Sequence, residues 1–192
     1  MINVSNENIL IGKNAVLEAL KAGRHIDSIW LSCEKQNANM KQIIEIAEKN
    51  KINIKKCTHH KLESISKNTN HQGIIAIAKA YQYTDVDTIL SSANTKGEPP
   101  FIIIADGIED THNLGAIIRS AECAGAHGVI IPQRHSAQIN QTVSKTSAGA
   151  IEHILIARVK NIAQEIKKLQ KKSVWVYGLE SGGKSWSTCD FT

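Results

Sequence analysis

The run Phe101-Ile102-Ile103-Ile104-Ala105 constrains this chain more than any other stretch. Five apolar residues without polar alternation read as a strand buried on both faces, as in a parallel sheet covered by helices on each side. Asp106-Gly107 closes the strand, a polar loop follows, and a helix begins. Leu114, Ile117, Ile118 and Ala121 recur at i, i+3, i+4 and i+7, so one stripe of that helix faces the sheet. The spacing places an N-cap at Asn113 and a C-terminal glycine cap at Gly125. Asn113 and Arg119 then lie off the apolar stripe near the carboxyl end of a parallel strand, where open α/β sheets bind ligands. Gly115, in the first helical turn, allows another group to approach the backbone closely.

The strand–helix alternation continues on both sides. Upstream, Val16, Leu17 and Leu20 mark a helix ended by Gly23, and Ser28–Ser32 reads as a short strand. Met40, Ile43, Ile44 and Ala47 mark a second helix, Ile52-Asn53-Ile54 a strand, residues 59–66 a short helix, and Gly73–Ala78 another strand. Periodicity is lost from Tyr81 to Pro100, where Gly, Pro, Ser and Asn concentrate, so a linker is expected over 81–100, with a helical turn or two in 86–93. Downstream come a strand at Gly128–Ile131, a small-residue helix over about 141–150, and a strand at His153–Val159. A helix capped by Asn161 follows, then a last strand, Ser173–Gly178. The expected organisation is α/β: a small αβ unit over 1–80, the linker, and a mostly parallel sheet over 101–192.

With 192 residues and a net charge of +5 at pI near 9.0, the chain suits a polyanionic partner such as RNA. Aromatic residues are only 4%, so base-stacking platforms are not an expected device. No apolar run approaches the roughly 20 residues of a membrane span, and no secretory signal opens the chain; a cytoplasmic location is expected. Cys33, Cys57, Cys123 and Cys189 form no CxxC and suit a reducing compartment. None of the eight histidines is read as a metal ligand. Gly178–Ser185 matches GxxxxGK[ST], but only Trp186–Thr192 remain for the helix that such a phosphate loop needs, so a Gly/Ser-rich surface loop is expected instead. The Lys167–Lys172 cluster reads as a solvated helix face, with phosphate contact as a secondary role.

The string Asp106-Gly107-Ile108-(x4)-Asn113-Leu114-Gly115-Ala116-Ile117-Ile118-Arg119-Ser120-Ala121 resembles the first motif of the SpoU/TrmH-type SPOUT RNA 2′-O-ribose methyltransferases. Lys145-Thr146-Ser147-Ala148-Gly149-Ala150-Ile151-Glu152-His153 is similar to the branch acting on a guanosine of 23S ribosomal RNA. Gly12-x-Asn14-Ala15-Val16-x-Glu18-Ala19-Leu20 and His71-Gln72-Gly73 resemble parts of the family's N-terminal, L30e-like RNA-binding domain. Read on their residues alone, these last two are helix and strand starts. The resemblance implies an enzyme with S-adenosyl-L-methionine as methyl donor, ribosomal RNA as partner and no membrane association. It implies Arg119 and Asn113 as catalytic residues, with Asn113 orienting Arg119 or the ribose and Glu122 pairing with Arg119. Glu122, Lys145, Ser147, His71, Gln72, Gly73 and Asn14 are implied as the substrate-binding set.

The family carries two further motifs beyond the last strand, which build its trefoil knot and most of its donor pocket. This sequence stops at Thr192, before them. The second unit is therefore expected to be an incomplete SPOUT domain without the knot. The 192 residues alone are expected to be inactive and not to form the family's usual homodimer, an RNA-binding protein without chemistry being the alternative reading.

Overall fold

The computed structural model describes residues 8–33, 38–67, 69–179, 182 and 188. The first unit runs β1 (Ile9–Ile11), α1 (Lys13–Lys21), β2 (Ile26–Ser32), α2 (Ala38–Lys49), β3 (Asn53–Cys57), α3 (His59–Ser66) and β4 (Ile74–Ala78). Its sheet is ordered β1-β4-β2-β3, with β4 antiparallel to both β1 and β2, and β3 parallel to β2. Alternation along β2 splits the core in two. Ile29 and Leu31 pack with Val16, Leu20 and Ile43 beneath α1 and α2, whereas Trp30 faces the other side with Ile75 and with Leu62 of α3. Two helices thus cover one face, and a single short helix covers the other.

The second unit is α4 (Val86–Lys96), β5 (Ile102–Ile104), α5 (Thr111–Cys123), β6 (Gly128–Pro132), α6 (Gln141–Thr146), a 3₁₀ turn (Ala150–Glu152), β7 (Leu155–Val159) and α7 (Ile162–Lys171). β5, β6 and β7 form a parallel three-stranded sheet in that order. Leu114, Ile118, Val143 and Ile151 fill one face under α5 and α6; Val86, Ile89, Ile162 and Leu169 fill the other under α4 and α7. The parallel sheet is covered on both faces as expected, but the Phe101–Ala105 run is not buried on both: β5 is an edge strand among the described residues, Ile102, Ile103 and Ile104 are only partly buried, and Phe101 is 45% exposed.

Four further expectations are corrected. Residues 81–100 do not lose structure: Asp85 caps α4 by accepting from the Thr88 amide, and Val86, Ile89 and Ala93 are buried. The low local periodicity hid a helix whose apolar side is supplied by three residues. The small-residue helix ends at Thr146 rather than Ala150, because Ala148 and Gly149 take positive φ; β7 begins accordingly at Leu155. Asn113 is not the N-cap of α5. Asp110 is, accepting from the Asn113 amide at 2.7 Å.

Finally, 173–178 forms no strand. Val174 and Val176 pack on the core, whereas Trp175 is 76% exposed and Tyr177 46%. Alternating hydrophobicity makes a strand only where an adjacent backbone accepts its hydrogen bonds. The Gly178–Ser185 motif falls largely outside the described residues.

The expected caps at Asn161 and Gly125 are present. Asn161 accepts from Gln164, and Gly125 at φ +77° closes α5 with amide bonds from Gly125 to Glu122 and from Ala126 to Ala121.

The outer edge of β7 is occupied. Thr84 forms a parallel bridge to Ala157, its amide donating to Ile156. Beyond it, α4 and α7 are tied by the Lys172–Asp87 ion pair.

Candidate active site

The loop after β5 and the first turns of α5 hold the two residues implied as catalytic. Both Asn113 and Arg119 are exposed. Six residues apart on a helix, they stand about 9 Å apart along the axis and roughly 120° apart around it, so Asn113 does not orient Arg119. The expected Arg119–Glu122 pair is not formed either: Arg119 is in no ion pair among the described residues, and Glu122 instead accepts from the Cys123 thiol at 3.7 Å. A one-turn spacing permits a pair without enforcing it, and here the guanidinium is left with all its donors available. His112, seven residues before Arg119, shares its side of the helix about 10 Å along the axis and is likewise exposed.

Gly115 explains how α5 sits. A β-carbon there would lie 1.9 Å from Thr146 Oγ1 and 2.8 Å from Thr146 Cβ. α5 and α6 therefore touch backbone to side chain at this point, which brings the Arg119 helix against the Lys145–His153 string. Ser147 is fully buried and donates to the Ser144 carbonyl at 3.1 Å, while Lys145 is half-buried.

In the first unit, Gly12-x-Asn14 and His71-Gln72-Gly73 come together. Gln72 Oε1 accepts from the Lys13 amide at 3.1 Å, capping α1 in place of a side chain from its own helix. His71 is buried, accepts from the Gly73 amide at 3.0 Å and lies against His59. Gln72 and His71 have structural partners, and both Gln72 and Asn14 are exposed.

The string and the first unit also meet. Gly149, at φ +97°, would put a β-carbon 2.7 Å from Glu18 Cβ and 3.3 Å from the Asn14 carbonyl. His153 Nε2 contacts Glu18 Oε2 at 2.8 Å, and Arg24 reaches Glu152 at 2.6 Å with both side chains nearly buried, while also donating to the Lys79 carbonyl at 2.8 Å. Burial raises the Glu152 carboxyl above its ordinary value, against the opposing charge of Arg24. For Glu18, burial is outweighed by hydrogen bonds from Lys21 and His153, and its carboxyl is lowered. Tyr81 completes the seam, its hydroxyl raised by burial and by the nearby Glu152 charge. Nothing in local sequence signals a pair separated by 128 residues.

Two shallow hollows, about 260 and 540 Å³, lie around α4 and α7. Neither is lined by Asn113, Arg119, Lys145 or Ser147. Both catalytic candidates stand at exposed positions of α5.

Residues 9–84 match the family described as RNA 2′-O ribose methyltransferase substrate binding, and residues 100–192 match the SpoU rRNA methylase family. YacO of Bacillus subtilis strain 168, named for the TrmH family of tRNA/rRNA methyltransferases, is 39% identical over 175 residues, covering 91% of this chain and 70% of that protein. A TrmH family relative from Staphylococcus haemolyticus is 37% identical over 173 residues, covering 90% and 69%. Among solved structures, an AdoMet-bound rRNA methyltransferase from Sinorhizobium meliloti superposes with a TM-score of 0.65 at 21% identity, covering 84% of this chain and 57% of that one. The SpoU methyltransferase AviRb of Streptomyces viridochromogenes with AdoMet gives 0.66 at 17% identity, covering 88% and 61%. The chain thus spans about 70% of these curated relatives and about 60% of these solved chains. Two matched domains in the family order, and relatives at this identity over nine-tenths of its length, make this chain a member of the SpoU/TrmH family of RNA methyltransferases.

Proposed function

We propose that the protein methylates the ribose 2′-hydroxyl of a guanosine in 23S ribosomal RNA, with S-adenosyl-L-methionine as donor. The observation that carries this reading is Arg119: an exposed guanidinium with no ion-pair partner among the described residues, on the helix that follows the first strand of a parallel sheet. A guanidinium with pKa above 12 is not a base. Its forked donors hold an RNA phosphate or the target hydroxyl and stabilise negative charge developing on the 2′-oxygen. Asn113, on a different side of the helix, contacts the ribose rather than Arg119. Lys145 supplies charge to the RNA backbone, and buried Ser147 keeps α6 in place against Gly115.

Family membership and the AdoMet complexes of its structural neighbours support the donor; the reading includes inactivity of the 192-residue chain taken alone. Transfer of labelled methyl from S-adenosylmethionine to 23S transcripts tests both. Turnover by the 192 residues alone would refute the second statement. In a methylation-competent form, Arg119→Ala should lose about 100- to 1000-fold in rate with little change in stability, and Arg119→Lys should fail to restore it. Wild-type turnover in Arg119→Ala would refute the assignment.

A further inference from the structure

The positive charge of this chain is not spread evenly. Residues 1–80 hold twelve Lys and Arg against seven Asp and Glu, whereas residues 81–192 hold eleven against eleven. The whole net charge of +5 therefore resides in the first unit. Lys55 and Lys56 stand on the edge strand β3, Lys49 and Lys51 precede it, and Lys61 and Lys67 lie in and just after α3; all six are exposed, and none makes an ion pair among the described residues. Cations that protein carboxylates leave unneutralised are complementary to a polyanion.

Beside these lysines sits Trp30. It pairs across the parallel ladder with Lys55, on the sheet face that the short helix α3 covers only in part. The indole is partly exposed, and its Nε1 donates to Ser28 Oγ at 3.3 Å, which fixes the ring plane. The Lys55 ammonium rests 5.0 Å from the ring centroid. A partly exposed indole held in plane at the edge of a sheet, with a lysine over its ring, is an arrangement on which an unpaired base can stack while a phosphate meets the cation.

We propose that Trp30 and Lys55 form a binding site for single-stranded RNA on the β3 edge of the first unit: a base takes the place of Lys55 on the indole, and the displaced ammonium engages the adjoining phosphate. This rests on the RNA-substrate reading above and assigns the RNA grip to a defined surface. β1 lies against α6, and β3 is at the opposite edge. Three inter-strand spacings, about 14 Å, separate the two. The grip therefore holds nucleotides removed from the one presented to Arg119.

The test uses the 192-residue chain with a 12-nucleotide oligoadenylate and a 12-base-pair RNA duplex. The wild type should bind oligoadenylate more tightly than duplex, with quenching of tryptophan fluorescence. Trp30→Leu, which keeps apolar packing against α3, should weaken oligoadenylate binding about tenfold and remove most of the quenching. Lys55→Gln, on the surface and without effect on folding, should weaken binding a few-fold and reduce the salt slope by about 0.7. If wild type and both variants bind oligoadenylate equally, the site is elsewhere and the RNA-substrate reading survives. Preference for duplex, or binding that depends on Lys55 but not Trp30, would overturn the stacking role. Absence of RNA binding by the wild type would overturn both readings together.

Discussion

Replacing Gly115 by alanine sets two well-calibrated effects against each other. In a helix interior the change is favourable by about 1 kcal/mol from propensity alone. Here the new methyl group would enter the α5–α6 contact, 1.9 Å from Thr146 Oγ1, 2.8 Å from Thr146 Cβ and 3.1 Å from the Ser147 amide nitrogen. Rotating the threonine relieves the first overlap but not the second, because Cβ is fixed to the backbone of α6. Restoring an ordinary carbon–carbon contact of about 3.5–4.0 Å requires the helices to part by about 1 Å. Overpacking of this kind costs about 1–3 kcal/mol, and a forced helix displacement lies at the upper end. The net expectation is a loss of about 1–2 kcal/mol, or roughly 2–8 °C in melting temperature for a chain of this size. Thermal and urea unfolding followed by far-ultraviolet circular dichroism measure it. A Gly115→Ala/Thr146→Gly double variant should be less destabilised than the sum of the two single changes. A Gly115→Ala protein that melts at or above the wild-type temperature would show that propensity governs this position and that the helices are not in close contact.

Further outcomes are expected at other positions. Glu152→Gln or Arg24→Met alone should each destabilise the protein by about 3–5 kcal/mol, since each strands a nearly buried charge, whereas the double variant should recover most of that loss; chemical denaturation of the three variants checks it. At the start of α4, hydrogen bonds from Thr88 hold the Asp85 carboxyl below its ordinary value of 3.8. A lowered carboxylate contributes stability that is present above that ordinary value and is lost as pH falls through the folded value. Asp85→Ala should therefore lower stability near neutrality and flatten the acid limb below about pH 4, and a parallel limb in wild type and variant would contradict the cap.

Most of the second unit was readable from the chain because its signals are local. The Phe101–Ala105 run, the i, i+3, i+4, i+7 stripe of α5 and the glycine at 125 each specify their structure within a few residues. Gly115 was readable as a close approach, though not which residue approaches. What could not be read depended on distant partners. The end of α5 that lacks a capping side chain at Asn113 is satisfied three residues earlier by Asp110. Gln72 caps a helix 59 residues away. Arg24 and Glu152, the nearly buried pair between the two units, lie 128 residues apart, and no local pattern joins them. The catalytic candidates were named by motif, but the pairing of Arg119 with Glu122 that it implied is not formed among the described residues. Helical geometry separates Asn113 from Arg119, and no spacing rule announces that Glu122 turns to Cys123 instead.

The Thr84–Ala157 bridge gives the parallel sheet a direction of growth. With the strap from the first unit laid along β7, and α4 and α7 joined across it, that side is closed to newcomers. On the other side, β5 has its ladder partner in β6 among the described residues, and Val174 shares a hollow with Pro100 just before β5. A strand added beyond β5 would lie next to the loop that carries Asp106 and Asp110.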